Sequence, residues 1–269
     1  MIQLFKNIRR KLLFEKRLGN YILYAIGEIL LVVIGILLAL QFNNWNLESE
    51  NLKKEEWYLI NIVEDIEYQK KILKDMKRHS LESIDVAKSV LKGFVTSKNF
   101  KKVDSLNDKL NFLIETYNFP NINNTYSELV SSGQLSLIKD KELSINIINF
   151  YLLSQENFEI VKNNFDNIFY PEVYPTIKQL SQITMFEEDV KENESYLTAE
   201  NKTFKLLIEN RLKNTGTQLD LLNALKIRIQ ILNEHVYMID DLLNFAKELI
   251  TSIDFYLELK PEDVNNFDE

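Results

Sequence analysis

The sequence predicts an all-α protein, with an N-terminal transmembrane helix followed by a helical-bundle ectodomain with long helices. Three observations predict this fold class. The 269 residues include only 6 Gly and 4 Pro, too few turn residues for a β-sandwich, a barrel or a dinucleotide-binding fold. One segment of about 22 residues is almost wholly apolar, which is the length that crosses a bilayer as a helix. Elsewhere, apolar residues recur every three or four positions, which is the helical period.

Composition and charge exclude several classes of protein. The chain has no Cys, so disulfides, thiolate metal sites and cysteine nucleophiles are excluded. Residues 1–20 hold six basic side chains against the single acid Glu15, a net charge of +5. Because the whole chain carries −8 and Glu28 adds one negative charge, residues 47–269 carry −12. An acidic ectodomain would repel phosphate, so nucleic acid is not expected as a partner.

Residues 21–42 form the predicted transmembrane helix. As a helix they extend roughly 33 Å, close to the ~30 Å hydrocarbon core of a bilayer. Tyr21, Tyr24 and Trp45 flank the segment, where interfacial aromatic residues are common. The sequence Leu38-Ala39-Leu40 is a poor cleavage site, which favours an uncleaved signal anchor over a cleaved signal peptide.

The basic residues precede this segment, so the positive-inside rule puts residues 1–20 in the cytoplasm and residues 47–269 outside it. Leu4, Phe5, Ile8 and Leu12 recur at helical spacing opposite basic side chains, which fits an amphipathic helix on an anionic leaflet. A basic tail without helical structure is the alternative, and the sequence leaves both open. The side chains expected at the lipid surface are Arg9, Arg10, Lys11, Lys16 and Arg17.

Glu28 is the only charged residue inside the apolar segment. A carboxylate roughly 10 Å from the start of the span costs at least about 2.5 kcal/mol on insertion scales. Glu28, Gly35 and Ala39 fall on one helical stripe, and Gly35-x-x-x-Ala39 permits close approach of a second helix. We therefore expect these residues, with Trp45 at the boundary, to contact another copy of the chain or a partner membrane protein. A protonated Glu28 facing lipid or a local water defect is the alternative.

The remaining chain is predicted to form one helical domain, residues 43–260, followed by an acidic flexible tail, residues 261–269. No Gly or Pro occurs between Asn46 and Arg78, which predicts a long helix that could continue the span. His79-Ser80 is expected to cap or bend it before a second helical stretch. The apolar stripe of the first stretch, with Gln69 in register, consists of Leu59, Ile62, Ile66, Leu73 and Met76.

Local signals predict the next elements. A helix is expected at 103–117, followed by a loop at 118–124 that contains Pro120 and four Asn. Thr125 and Glu128 fit a capping box. Gly133 fits a left-handed helix C-terminus, and Asp140 fits the N-cap of a further helix.

Turn residues and acidic residues divide the last part of the chain. Pro171 and Pro175 are expected to break the helix that follows Asp140. The segment 187–194 is interpreted as an exposed acidic loop. Helices are then predicted at 197–212 and, after a turn at 214–216, at 218–255.

Candidate catalytic chemistry is sparse. The sequence has no Gly-rich phosphate loop and no HExxH, GxSxG or EF-hand spacing. His79 and His235 each lack a second His at i+3 or i+4, so both are interpreted as surface or packing residues. The acidic groups 187–189 and Asp240-Asp241 are interpreted as solvated faces rather than cation sites. No enzyme activity, cofactor or metal is therefore expected.

Aromatic residues concentrate in one stretch of the predicted bundle. At helical spacing they fit a packed core, and the alternative is an apolar ligand pocket between helices. These residues are Phe150, Tyr151, Phe158, Phe165, Phe169, Tyr170 and Tyr174.

Two stretches resemble an uncharacterised bacterial family, the domain-of-unknown-function 6090 family. The first is YAIGEILLVVIGILLALQFNNWN, Tyr24–Asn46, preceded by a basic Phe-x-x-Ile-Arg-Arg-x-Leu segment. The second is TYSELVSSGQLSLIKDKELSINIINFY, Thr125–Tyr151. The family is mostly from Gram-negative bacteria, so the resemblance implies an inner-membrane anchor and a periplasmic body. It implies no known activity, cofactor or catalytic residue.

Two function classes fit these observations. The first is a membrane-anchored interaction or assembly protein that self-associates, or docks on a membrane partner, through the span. The second is a ligand-sensing helical module that signals through a separate partner, because residues 1–20 are too short for a cytoplasmic effector domain. The first is favoured here. A closed apolar pocket of about 300 Å³ or more among Phe150–Tyr174 would favour the second.

Overall fold

The structure, a computed structural model, describes residues 18–183 and 202–259. These residues contain helices and short connections but no β-strand, so the predicted all-α fold class is confirmed. A π-helix, Phe165–Val173, and two 3-10 turns, Phe100–Lys102 and Gln134–Leu137, lie between α-helices. In chain order, the α-helices are α1 (Leu18–Ser97), α2 (Leu106–Leu113), α3 (Asn124–Ser131), α4 (Lys141–Asn164), α5 (Tyr174–Lys178), α6 (Lys202–Arg211) and α7 (Thr215–Glu258).

The described chain divides into two compact units between Trp57 and Tyr58, inside α1. Near the N-terminus, α1 is long and apolar enough to cross a membrane by length and composition. The second unit, 58–183 and 202–259, is a helical body with a contiguous buried core. The predicted domain borders at 42/43 and 260/261 stay predictions.

In the body, α1 buries one stripe of side chains, as its periodicity predicts. Leu59, Ile62 and Ile66 are fully buried, and Gln69 and Leu73 continue the same stripe. Burying an Ile or Leu side chain stabilises a fold by about 1.5–3 kcal/mol. This stripe therefore determines which face of α1 packs against the rest of the body.

The predicted cap at His79-Ser80 is wrong, and the alternative, a bend at these residues, stays a prediction. The helix continues through both residues to Ser97. The Ser80 hydroxyl donates a 2.8 Å hydrogen bond to the Met76 carbonyl one turn earlier. Its side chain is thus satisfied within the helix and does not end it.

The predicted capping box at Thr125 is also wrong. The Thr125 amide, in the first turn of α3, donates to Asp65 Oδ2 on α1 at 3.0 Å. Glu128 accepts a hydrogen bond from Tyr58 Oη, also on α1, at 3.4 Å. Both residues of the motif therefore bind α1, and α3 is held against that helix.

Other local signals are confirmed. Gly133 has a φ of 70°, the left-handed conformation that glycine adopts at little cost. Asp140 caps α4, because its carboxylate accepts a hydrogen bond from the Leu143 amide at 2.9 Å. The turn that precedes α7 is stabilised in the same way, since Asn214 Oδ1 accepts from the Thr217 amide at 3.1 Å.

The prolines that follow α4 lie within helical structure, so the predicted break is wrong. Pro171 lies inside the π-helix, and Pro175 lies in the first turn of α5, where a missing N–H is tolerated. The π-helix spans 9 residues, although most π-helical segments are single turns, and such segments are frequent at functional sites. It packs against α7, as do α4 and α5.

Several predictions fall outside the described residues. These are the amphipathic segment within 1–17, the acidic loop at 187–194, the start of the helix predicted at 197 and the acidic tail at 261–269. The described part of that helix, α6, ends at Arg211.

Candidate functional site

The predicted interface residues lie in an apolar part of α1 that is exposed in the described part of the structure. Leu31, Ile34 and Leu38 are 66%, 48% and 60% exposed, and none of the most apolar window of α1 is buried. Burying apolar surface is worth about 25 cal/mol per Å². A segment that leaves so much of it uncovered is suited to lipid or to another protein.

Glu28, Gly35 and Ala39 share one face of this segment by helix geometry, since 100° per residue puts them within about 20° of one line. Trp45 lies roughly 100° away from that line and contacts the Phe42 ring edge-on at 6.1 Å. A Cβ atom added at Gly35 would meet no atom within 4 Å, so this face has room for a second helix. The predicted membrane-surface residues Arg9, Arg10, Lys11, Lys16 and Arg17 lie outside the described residues.

The body contains a second candidate site, which sequence reasoning missed, around a buried cation on α7. The Arg228 side chain is 1% exposed, and its Nη2 donates to the Glu115 carbonyl at 2.7 Å. Among the residues that the structure describes, its Nε and Nη1 atoms have no hydrogen-bond partner. In 18–183 and 202–259, no carboxylate forms an ion pair with it. Burial lowers the pKa of Arg228 to about 10, so the side chain stays charged at neutral pH.

Aromatic side chains surround this guanidinium. Arg228 Cζ lies 4.4 Å from the centroid of the Phe169 ring, a cation–π contact. Phe169 is fully buried and makes edge-on contacts with Phe165 at 5.9 Å and with Tyr170 at 5.2 Å. A desolvated cation–π contact is worth about 2 kcal/mol, which offsets part of the cost of a buried charge.

Two histidines lie near the cation. His235 on α7 is fully buried, contacts the Phe165 ring at 5.6 Å and has an Nδ1 atom without a partner. Burial first, and the charge of Arg228 second, lower the pKa of His235 to about 4. The same two causes lower the pKa of His79 on α1. We call these six residues the Arg228 cluster: Arg228, His235, His79, Phe165, Phe169 and Tyr170.

The exposed edge of the Arg228 cluster is formed by two tyrosines. Tyr117 and Tyr170 are 47% and 48% exposed. The hydroxyls of Thr116 and Tyr170 lie 3.1 Å apart and share a hydrogen bond. This bond joins the irregular segment after α2 to the π-helix. Glu115 belongs to the same segment, and burial raises the pKa of its carboxyl.

The second histidine also has a neighbouring hydroxyl. Ser83 Oγ and His79 Nε2 lie 3.4 Å apart, one turn apart on α1. Ser83 is fully buried, and the His79 ring contacts the Tyr117 ring at a centroid distance of 4.3 Å with a tilt of 45°. A nucleophilic serine must reach its substrate, so this pair fits packing, as predicted for both histidines.

The aromatic stretch contributes mainly to the core. Phe150, Tyr151, Phe165 and Phe169 are buried, whereas Tyr170 is half exposed. A groove of about 480 Å³ lies elsewhere in the body, among residues that include Phe100, Lys101 and Glu209, and no residue of Phe150–Tyr174 lines it. Two of its five charged side chains, Lys101 and Glu209, pair at 2.7 Å.

A sequence signal for the Arg228 cluster does exist. Leu221, Leu225, Arg228, Leu232 and His235 follow the 4-3-4-3 spacing of the buried face of α7. The apolar residues one position later, Ile229 and Val236, suggest a neighbouring face by their hydrophobicity, yet both are only partly buried. A cation and a histidine in register with a buried stripe are the signal that was passed over.

A comparison with protein families decides which family this is. The protein-family model described as a family of unknown function (DUF6090) matches residues 28–175, which is more than half of the chain. The chain belongs to this family. No curated protein and no solved structure matches the chain.

The family match includes the predicted interface residues and part of the Arg228 cluster. It begins at Glu28 in α1 and ends at residue 175, in the first turn of α5. It therefore contains His79 and the aromatic residues of the π-helix, while Arg228 and His235 lie beyond it on α7.

Proposed function

We propose that this protein is a membrane-anchored, non-enzymatic assembly protein of the bacterial inner membrane. Its N-terminus lies in the cytoplasm, its helical body lies in the periplasm, and it self-associates or docks on a partner membrane protein through the span. One observation carries the proposal: in the described part of the chain, α1 exposes large apolar side chains over residues 22–47. The basic residues at 1–20 support the orientation through the positive-inside rule.

The contact face of the span is proposed to be that of Glu28, Gly35 and Ala39. Small residues allow two helix backbones to approach closely in a bilayer, where van der Waals packing drives association. A carboxyl group on the same face adds an interhelical hydrogen bond that is worth about 1–2 kcal/mol in model peptides. Contact with lipid alone would gain no stability from the small residues or from the carboxyl group on this face.

Native mass spectrometry of the full-length protein in a non-ionic detergent tests self-association. The proposal expects a defined oligomer that Glu28→Leu disrupts, with Glu28→Gln retaining it if a neutral hydrogen bond suffices. Gly35→Leu should also disrupt it, because the larger side chain separates the helices. The matched control is Val33→Leu, which adds bulk on roughly the opposite side of the helix.

The two forms of the proposal give different results in this experiment. A monomer in wild type and in every variant rules out self-association through this face. In that case a partner that co-purifies from native membranes and is lost in Gly35→Leu, but not in Val33→Leu, supports docking. If neither an oligomer nor such a partner exists, the proposal is wrong.

Orientation has a separate test, because the chain contains no Cys. A single Cys replacing Ser252, an exposed residue of α7, should react in intact cells with a thiol reagent that does not cross the inner membrane. A single Cys replacing Asn7 should react only after the membrane is opened. The reverse pattern would contradict the proposed orientation.

Ligand sensing is the second candidate function, and one observation favours it. The Arg228 cluster keeps unpaired hydrogen-bond donors beside the π-helix, which suits a polar ligand. In this function the body would bind the ligand, and a separate partner would receive the signal.

A further inference from the structure

The Arg228 guanidinium lacks the counter-ion that a buried charge needs. It is 1% exposed, and one of its three nitrogens has a partner, the backbone carbonyl of Glu115. Removing an ion from water costs several kcal/mol unless pairing and hydrogen bonds compensate. A neutral carbonyl and the ring of Phe169 supply part of that compensation. The rest of that compensation corresponds to an anion that carries one negative charge and has oxygen atoms that accept hydrogen bonds.

The surroundings restrict the kind of anion that fits. Arg228 is the cation of the cluster at neutral pH, since His79 and His235 stay neutral there. An anion with two or more charges would bring uncompensated charge into a buried site. The neighbouring side chains are the rings of Phe165, Phe169 and Tyr170, which favour an apolar or aromatic body attached to the charged group.

Entry requires a movement at the edge of the cluster. The hydrogen bond between Thr116 and Tyr170 closes the segment that carries Glu115 against the π-helix. Both Tyr117 and Tyr170 are half exposed, so this closure lies at the surface of the body. Separating the two hydroxyls exposes them to water, which replaces their bond at little cost.

We propose that the Arg228 cluster is a gated binding site for a small monocarboxylate with a compact apolar body. The carboxylate binds the unpaired donors of Arg228, and the apolar body lies against the aromatic rings. The pair Thr116–Tyr170 is the gate. This inference goes beyond assembly through the span and does not depend on it.

Thermal unfolding of the full-length protein in a non-ionic detergent tests the proposal, with sodium benzoate as the probe. Benzamide is the neutral control of the same shape, and sodium chloride controls for ionic strength. Benzoate should raise Tm by roughly 5–10 °C at 100 times its Kd, and benzamide should not. A shift that benzamide or sodium chloride reproduces would overturn the proposal.

Two arginine variants test whether the benzoate-induced rise in Tm arises at the Arg228 cluster. Arg228→Met removes the charge at similar side-chain volume and should abolish the benzoate shift. The matched control, Arg211→Met, removes an exposed arginine that donates to the Gln179 carbonyl at 2.9 Å, and it should retain the full shift. Retention of the shift in Arg228→Met, or its loss in both variants, would contradict binding at this site.

Thr116→Val provides a test that keeps Arg228 in place. Removing the gate hydroxyl should speed benzoate binding in stopped-flow tyrosine fluorescence by several fold or more, without changing the preference over benzamide. If Arg228→Met fails to fold, this measurement decides the proposal. An unchanged association rate, or no benzoate signal in either protein, would rule out the gated site.

Discussion

Two stretches of α1, residues 22–47 and residues 58–94, are both rich in apolar side chains but expose them differently. In the first, large apolar residues such as Leu31 and Leu38 are more than half exposed, on all sides of the helix. In the second, one stripe of apolar residues that includes Leu59 is buried, and exposed apolar residues such as Tyr68 lie off that stripe. The comparison teaches that the arrangement of apolar residues around the helix, rather than their number, separates a helix suited to lipid from one suited to a protein core.

The largest expected effect comes from a substitution in the buried stripe of α1. Ile66→Ala should lower the free energy of unfolding of the body by about 3–4 kcal/mol, because it removes apolar contacts and leaves a cavity. Ile34→Ala, in the exposed stretch, should leave it unchanged. Urea unfolding of the full-length protein in a non-ionic detergent, followed by circular dichroism, measures both. Equal losses in the two variants would show that the stretches are not distinct.

An added charge should be tolerated less well in the exposed stretch of α1 than at an exposed site of the body. Leu31→Arg costs about 3 kcal/mol in membrane insertion, if this stretch meets lipid. Leu152→Arg introduces the same charge at a 60% exposed site on α4, where surface substitutions change stability by less than about 0.5 kcal/mol. The fraction of protein that stays in the membrane after an alkaline wash should fall for Leu31→Arg alone. An unchanged fraction would argue against a span at this position.

The buried histidines of the body should make its free energy of unfolding depend on pH. The pKa of His235 falls from 6.5 to about 4 on folding, so the unfolded chain binds the proton between those values. Stability is therefore full above pH 6.5 and falls as the pH drops towards 4, by up to about 3 kcal/mol. His79 changes in the same direction. His235→Gln should show a smaller loss between pH 7.5 and pH 4.5, and an equal loss would contradict this origin.

The smallest expected effect compares two glycines of α1. A Cβ at Gly93 would lie 3.1 Å from Val103 Cγ2, whereas a Cβ at Gly35 would meet nothing within 4 Å. Gly93→Leu should therefore destabilise the body by about 1–2 kcal/mol through overpacking. Gly35→Leu should leave the unfolding of the body unchanged and alter only association of the span. Urea unfolding and native mass spectrometry separate the two outcomes.

The sequence predicts the parts of this fold that depend on local pattern. The stripe from Leu59 to Met76, the cap at Asp140 and the left-handed Gly133 are properties of short segments, and the structure bears them out. The capping box at Thr125 failed because Asp65, sixty residues earlier, binds its amide. The local sequence favoured Glu128 as the hydrogen-bond partner of this amide, whereas in the folded body the partner is Asp65 of α1.

The Arg228 cluster depends on contacts that no local pattern contains. On α7, the stripe through Arg228 and His235 lies one residue from an apolar stripe through Ile229 and Val236, and only the packing against α4 and the π-helix decides which is buried. The π-helix itself was not predicted either, because its wide turn is stabilised by neighbouring elements rather than by propensity. The apolar part of α1 needed no such context, since its length and composition alone make it long and apolar enough to cross a membrane.

The pairing of α1 with α7 also affects how the protein is made. Lys77 on α1 forms an ion pair with Asp240 on α7, although 163 residues separate them along the chain. At a synthesis rate of about 5–20 residues per second, α7 follows this part of α1 by roughly 8–30 s. During that interval the buried stripe of α1 has been synthesised without the helix that completes the core. A chain that ends before α7 therefore contains the apolar stripe of α1 but not the helix that carries Asp240.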